Sequence, residues 1–388
     1  MSVTSPAGFR AAGVTAGIKV SGKPDVALVV NDGPRDVAVG VFTSNRFKAA
    51  PVLWSQQVLA DRTARAVFLN SGGANACTGP EGFADTHHTA EQVAEVLTAA
   101  GFEMGAGDVV VCSTGLIGER LPMDRISTGV ELSVAQLSDT GGVDAAIAIM
   151  TTDSVSKVAT ASAHGVTVGG IAKGAGMLAP ALATMLVVLT TDAEVDADDA
   201  EAILREATAL SFDRIDSDGC MSTNDTVVLM ANGASGISLE RAQLQELVTA
   251  VCLDLARQLI GDAEGASKDI EISVVNAASV DDALDVARAV SRSNLLKCAI
   301  HGEDPNWGRV LAAAGTTSAA FDPDRVDVSM NGVTVCRNGG VGDDRNLVDL
   351  SGRTVRIAVD LRAGTDIATV WTNDLTADYV HENSAYST

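Results

Sequence analysis

Chemistry could begin at one threonine. In the run Lys173-Gly-Ala-Gly-Met-Leu-Ala-Pro-Ala-Leu-Ala-Thr184-Met-Leu-Val-Val-Leu189, Thr184 follows a Gly/Pro-rich stretch and the small Ala183, and it precedes an apolar segment of strand character. A free threonine hydroxyl is a weak nucleophile. If the Ala183–Thr184 bond breaks, Thr184 gains its own α-amine, a base of pKa about 7.7–8.0. Nucleophile and base then share one residue. Ala183 leaves its carbonyl open to attack, and the glycines let the backbone take conformations that other residues resist.

Other readings of this segment exist. On pattern alone the plainer reading, a Gly-rich loop entering a buried strand with Thr184 a β-branched strand residue, is the stronger one. Gly174-Ala-Gly176-Met-Leu-Ala179 also fits the dinucleotide fingerprint G-x-G-x-x-G/A. That fit fails on length, because Pro180 follows at once and the next strand is expected near Met185, too soon for a βαβ crossover. No Gly-Lys-Ser/Thr closes the motif, so it is not a P-loop.

Few other residues offer chemistry. Cys112-Ser-Thr114-Gly115-Leu-Ile-Gly118 ends an expected strand with two glycines, a turn that could aim N–H groups and the Thr114 hydroxyl into a cleft as an oxyanion hole. A plain strand-to-loop turn is the simpler reading, and the same holds for Asn70-Ser-Gly-Gly-Ala-Asn75. No G-x-S-x-G or H-E-x-x-H occurs, and His87, His88, His164, His301 and His381 fit no metal-ligand spacing. The pair His87-His88 is expected on the surface, ahead of a helix start. The acidic run Asp192–Glu201 reads as a helix N-terminus, where carboxylates oppose the dipole, and Asp213–Gly219 falls short of a calcium loop. No metal and no cofactor is expected, which suits a mechanism that needs no histidine.

The elements that must position these residues alternate between strands and helices. Strands are expected at Val26–Val30, Val39–Thr43, Ala66–Asn70, Asp108–Cys112, Met185–Thr190, Thr226–Ala231 and Ile270–Val275. Helices are expected at Thr89–Ala100, opened by a Thr89-x-x-Gln92 capping box, at Leu239–Ile260 and at Asp281–Ser291. Beyond Arg325, Asn331-Gly332 between two short apolar runs signals a hairpin, with further strands at Thr354–Leu361 and Ile367–Trp371. The pattern is mixed, of the α/β or α+β kind.

The chain has 388 residues, 46% of them hydrophobic but only 3% aromatic, so its core must be built from Val, Leu, Ile and Ala. The formal net charge of -23 disfavours nucleic acid and anionic membranes as partners. Six scattered cysteines without C-x-x-C spacing are expected reduced and mostly buried. No signal peptide and no apolar run of bilayer-spanning length is evident, so a cytoplasmic protein is expected.

Taken together, these residues resemble one family. The Lys173–Leu186 run, Cys-Ser-Thr114-Gly115-Leu-Ile-Gly, Ile-Met-Thr151-Thr-Asp153, Ser222-Thr-Asn-Asp225, Asp262-Ala-Glu264-Gly265, Asp304-Pro-Asn-Trp-Gly-Arg309 and Glu382-Asn383-Ser-Ala-Tyr386 are collinear with motifs of the ornithine acetyltransferase (glutamate N-acetyltransferase) family of arginine biosynthesis. The resemblance implies an αββα sandwich like that of self-processing aminopeptidases, here residues 1–275, followed by a smaller α/β domain, 276–388, whose tail returns to the active site. It implies cleavage between Ala183 and Thr184 into two subunits that stay together, expected as a heterotetramer of two α and two β chains.

The same resemblance implies a ping-pong reaction in which Thr184 takes acetyl from N-acetylornithine and passes it to glutamate. It makes Thr114 and Gly115 the oxyanion-hole pair, and Thr151, Lys173, Thr184, Glu264, Asn383 and the final Thr388 the substrate-binding set. Lys173 suits a carboxylate and Glu264 an ammonium. Two departures stand out: Thr388 replaces a serine common at that position, and Cys220-Met221 replaces polar residues. Whether acetyl-coenzyme A also serves as donor is left open. So are two alternatives, a self-processing aminopeptidase or amidase on the same framework and a non-catalytic ligand-binding protein.

Overall fold

The computed structural model describes residues 2–179 and 185–385. Ala183, Thr184 and Thr388 therefore lie outside the described residues. The chain runs through β1 (Phe9–Val14), β2 (Val26–Asn31), β3 (Val37–Phe42), α1 (Ala50–Val58), β4 (Ala66–Asn70), α2 (Gly79–Ala99), β5 (Val109–Ser113), α3 (Met123–Ala135) and α4 (Gly142–Ala148). It continues with β6 (Lys157–Ala163), β7 (Val166–Lys173), β8 (Leu186–Thr191), α5 (Ala197–Leu210), β9 (Thr226–Ala231) and α6 (Arg241–Gly261). The remainder comprises β10 (Asp269–Ala277), α7 (Val280–Ser291), α8 (Asn294–His301), α9 (Trp307–Ala314), β11 (Asp327–Met330), β12 (Val333–Arg337), β13 (Gly340–Val341), β14 (Thr354–Asp360), β15 (Asp366–Asn373) and α10 (Ala377–Ala385).

Three sheets result, ordered β1-β2-β4-β5, β3-β9-β8-β7-β6 and β13-β12-β11-β14-β10-β15. The first two stack face to face, and the two-residue period of their strands shows how. In β2, Ala27 and Val29 enter the core shared with the second sheet, together with Val188 of β8 and Val228 of β9. Their neighbours Val26, Leu28 and Val30 point the other way, onto Val93 and Leu97 of α2 and Ile126 and Val130 of α3. On β8, Val187 and Leu189 face outward onto Ile203 of α5 and Val251 and Leu255 of α6. The layers are thus helix, sheet, sheet, helix, the αββα arrangement that the resemblance implies.

Parallel pairs are joined by helices, as they must be: β4 pairs with β5 across α2, and β8 with β9 across α5. The six-stranded sheet starts at β10, and its core packs against α7, α8 and α9. The Asn331-Gly332 hairpin forms with both turn residues left-handed, φ 43 and 88, as a two-residue turn of that composition requires.

Three expectations are corrected. Helix α2 starts at Gly79, ten residues before Thr89 would open it, so the apparent capping box is interior: the Thr89 hydroxyl donates to the Asp85 carbonyl at 2.8 Å and Gln92 bonds Ser127 of α3. His87 and His88 are exposed, as expected, but sit in mid-helix rather than ahead of its start, with the His87 ring 4.8 Å from the Trp54 ring. Of the six cysteines only Cys112, Cys252 and Cys336 are buried, while Cys77, Cys220 and Cys298 are exposed; all six are free thiols. No helix among the described residues is long and apolar enough to cross a membrane.

Candidate active site

The two Gly-rich turns that end β4 and β5 meet. Thr114 N–H donates to the Asn70 carbonyl and Gly73 N–H to the Thr114 carbonyl, both at 3.0 Å. Gly115 follows with φ 133, and a Cβ there would stand 2.8 Å from the Gly73 nitrogen, so only glycine fits. With its amide engaged, Thr114 has its side chain to offer. Its Oγ1 accepts from Lys173 Nζ at 3.3 Å, which leaves the hydroxyl proton for another acceptor. The Gly115 N–H meets no acceptor among the described residues.

Lys173 is the last residue of β7 and only 1% exposed. Its ammonium also donates to Thr151 Oγ1 at 2.8 Å and lies 4.0 Å from Asp153. Burial pulls the lysine below its usual range, and the Asp153 charge opposes that pull. Asp153 is the organiser of this corner. It accepts from Thr151 N–H (3.0 Å), Gly174 N–H (2.7 Å) and the buried Lys157 ammonium (2.7 Å). Lys157 also reaches Asp262 at 2.6 Å. The network ties the Thr151 turn, the end of β7 and the Asp262–Gly265 turn into one unit.

Glu264 is set by its neighbours. Its N–H donates to the Ala175 carbonyl at 2.9 Å and its carboxylate accepts from Asn383 Nδ2 of α10 at 3.0 Å. Gly265 has φ 60, and a Cβ there would come 2.2 Å from the Tyr379 nitrogen, so α10 packs directly on this turn. The tail helix therefore reaches the site through Asn383.

Thr114, Gly115, Thr151, Lys173, Glu264 and Asn383 all line one cavity of about 440 Å³. Of the site residues expected from sequence, these six are brought together, while Ala183, Thr184 and Thr388 lie outside the described residues. The nearest described neighbour of Thr184 is Met185, whose N–H donates to the fully buried Asp225 at 3.1 Å. Burial pushes the Asp225 carboxyl well above the usual range. Asn224 ties the floor together through the Ala74 and Ser113 carbonyls at 2.7 and 2.8 Å.

Sequence reasoning missed Lys19, which also lines the cavity, and the Asp153–Lys157–Asp262 network. Gly17, Gly22 and Pro24 around Lys19 signal a loop, but nothing local tells where that loop lands. Among the described residues, no group of three or more His, Cys, Asp or Glu side chains could hold a metal ion.

The chain has known relatives. The ArgJ family model matches residues 10–388. The arginine biosynthesis bifunctional protein ArgJ of Streptomyces coelicolor is 65% identical over 387 residues, covering 100% of both chains. The protein of the same name from Thermobifida fusca is 62% identical over 388 residues, again covering 100% of both. Among solved structures, ornithine acetyltransferase complexed with ornithine from Mycobacterium tuberculosis aligns at 61% identity and a TM-score of 0.46, covering 48% of this chain and 96% of that one. With a family model spanning nearly its whole length and curated relatives matched end to end, the chain belongs to the ArgJ family.

Proposed function

We propose that the protein is a self-processing acetyltransferase of arginine biosynthesis, moving acetyl from N-acetylornithine to glutamate through an acetyl-threonine at Thr184. The observation that carries this reading is the convergence of Thr114, Gly115, Thr151, Lys173, Glu264 and Asn383 on a single cavity. Cleavage after Ala183 frees the Thr184 amine, which takes the hydroxyl proton as Oγ attacks the acetyl carbon. The oxyanion that forms is met by the Thr114 hydroxyl and the Gly115 N–H. Collapse breaks the amide bond, and the threonine ammonium returns its proton to the departing ornithine amine. Glutamate then attacks the acetyl-threonine with its own amine, and N-acetylglutamate leaves as the Thr184 oxygen is reprotonated.

In this reading Lys173 holds the α-carboxylate shared by both amino acids, and Glu264 pairs with the ornithine ammonium. Thr151, Asn383 and Thr388 complete the substrate-binding set. The Glu264–Asn383 hydrogen bond supports a role for the tail. A cytoplasmic location, a heterotetramer of two α and two β chains, a division into a catalytic unit (1–275) and a C-terminal unit (276–388), with β10 bridging the two, and acetyl-coenzyme A as a second donor belong to the same reading.

Intact-mass analysis tests it. The parent should give two fragments split after Ala183, and brief exposure to N-acetylornithine should add one acetyl group to the C-terminal fragment. Thr184→Ala should remain a single, inactive chain. Acetate release indifferent to glutamate would instead mark a hydrolase.

A further inference from the structure

Lys19 is a second lysine on the cavity wall, and the reaction as described leaves it unused. It sits in the loop between β1 and β2, and that loop is built rather than loose. The N–H groups of Ala16, Ile18 and Lys19 converge on the buried Asp25 carboxylate at 2.7, 2.6 and 3.0 Å. Ile18 lies over Gly72 so closely that a Cβ on that glycine would meet its Cγ2 at 2.1 Å. Lys19 Nζ then donates to the carbonyls of Pro24 at 2.9 Å and Met150 at 2.6 Å. Met150 immediately precedes Thr151 of the cavity.

Two of the three ammonium donors are thus spent on neutral acceptors. No carboxylate among the described residues lies within ion-pair reach of Nζ. Burial lowers the ammonium to about 8 even though Asp25 pulls the other way. Lys19 is a half-buried cation, fixed in place and facing a substrate cavity with one N–H to spare.

The chemistry of the two half-reactions gives that N–H a use. Both amino acids carry an α-carboxylate, but the ornithine side chain ends in an ammonium and the glutamate side chain in a carboxylate. Glu264 favours the first and repels the second. A cavity that must accept both in turn needs a second cation for the acceptor alone. We propose that Lys19 forms an acceptor-specific subsite, its free N–H taking the side-chain carboxylate of glutamate. This rests on the acetyl-transfer reading given above.

The test separates the two steps. Parent and Lys19→Met enzymes are loaded with acetyl from N-acetylornithine alone, followed by the mass of the C-terminal fragment, and the loaded enzymes are then given glutamate or glutamine. Lys19→Met should slow loading far less than it slows discharge to glutamate, which should fall about 10–100-fold. Discharge to glutamine should barely change, so the preference for glutamate collapses. Lys19→Gln, which keeps an N–H for the two carbonyls, should lose the preference likewise, and Lys19→Arg should recover part of it. An unchanged glutamate-to-glutamine ratio, or equal losses with both acceptors, overturns the proposal. A parent enzyme that never takes up acetyl instead removes the acetyl-transfer reading beneath it.

Discussion

Gly176 and Glu264 meet at a distance that excludes any side chain between them: a Cβ on Gly176 would stand 2.4 Å from Glu264 Oε2. The glycine's φ is not in the left-handed region. Its role is therefore to make room for the carboxylate, and an alanine is compatible with the backbone. Gly176→Ala should leave the melting temperature unchanged or slightly raised, since it reduces the freedom of the unfolded chain. The displaced carboxylate should cost about 10-fold or more in kcat/KM for N-acetylornithine. Steady-state kinetics beside thermal unfolding check both halves, and a folded variant with parental kinetics would detach Glu264 from substrate binding.

Thr114 gives its amide to Asn70 and so has only its hydroxyl to contribute to an oxyanion. Thr114→Ser keeps that hydroxyl and should stay within about tenfold of parental turnover, whereas Thr114→Ala should lower it by about 10²–10³. Single-turnover acetylation of the C-terminal fragment reads this directly. Equal effects of Ser and Ala would point to the methyl group and to packing instead.

These two cases show what was legible in the sequence and what was not. The short apolar runs of β2 and β8 predict strands, yet which of their two apolar faces meets the other sheet depends on long-range pairing, so the layering came from the resemblance and not from periodicity. Thr114-Gly115 is visible as a strand-end turn, but that the amide is consumed and the hydroxyl left free follows from Asn70 and Lys173, 44 and 59 positions away. Lys19 and the Asp153 network were unreadable for a related reason. Some of their partners are local, but those that seat them at the cavity, Met150 for Lys19 and Gly174, Lys173 and Asp262 for the network, are remote in sequence, and a lysine in a Gly-rich loop has no local mark that separates a cavity wall from a solvated surface. The misplaced start of α2 has a different cause: Thr89-x-x-Gln92 has the spacing of a cap, but the helix had already begun at Gly79-Pro80, with proline in its first turn.

Lys157 is wholly buried between Asp153 and Asp262. Removing one partner of such a group leaves the others as uncompensated buried charge, which typically costs 3–5 kcal/mol. Lys157→Met should therefore lose about 3–5 kcal/mol in chemical denaturation, and it should also weaken substrate binding, because Asp153 positions both Thr151 and Gly174. Adding Asp262→Asn should recover part of the stability by removing one of the two stranded charges. A stability loss below about 1 kcal/mol would make the pair no better than a surface ion pair.

Asp153 also fixes how the fold responds to acid. Burial would raise its carboxyl, but the Lys173 and Lys157 charges, the Lys157 hydrogen bond and the Gly174 N–H outweigh it and bring the group down to about 2. A carboxyl lower in the folded than in the unfolded chain stabilises the fold when ionised, so its contribution is complete above the unfolded value of about 4 and disappears as pH falls through about 2. A shift of that size corresponds to about 2 kcal/mol. Asp153→Asn, which cannot ionise, should be less stable at neutral pH and should show a shallower fall in stability between about pH 4 and pH 2. Urea unfolding of parent and variant across that range reads the difference in slope, and parallel curves would show that the acid response comes from other carboxylates.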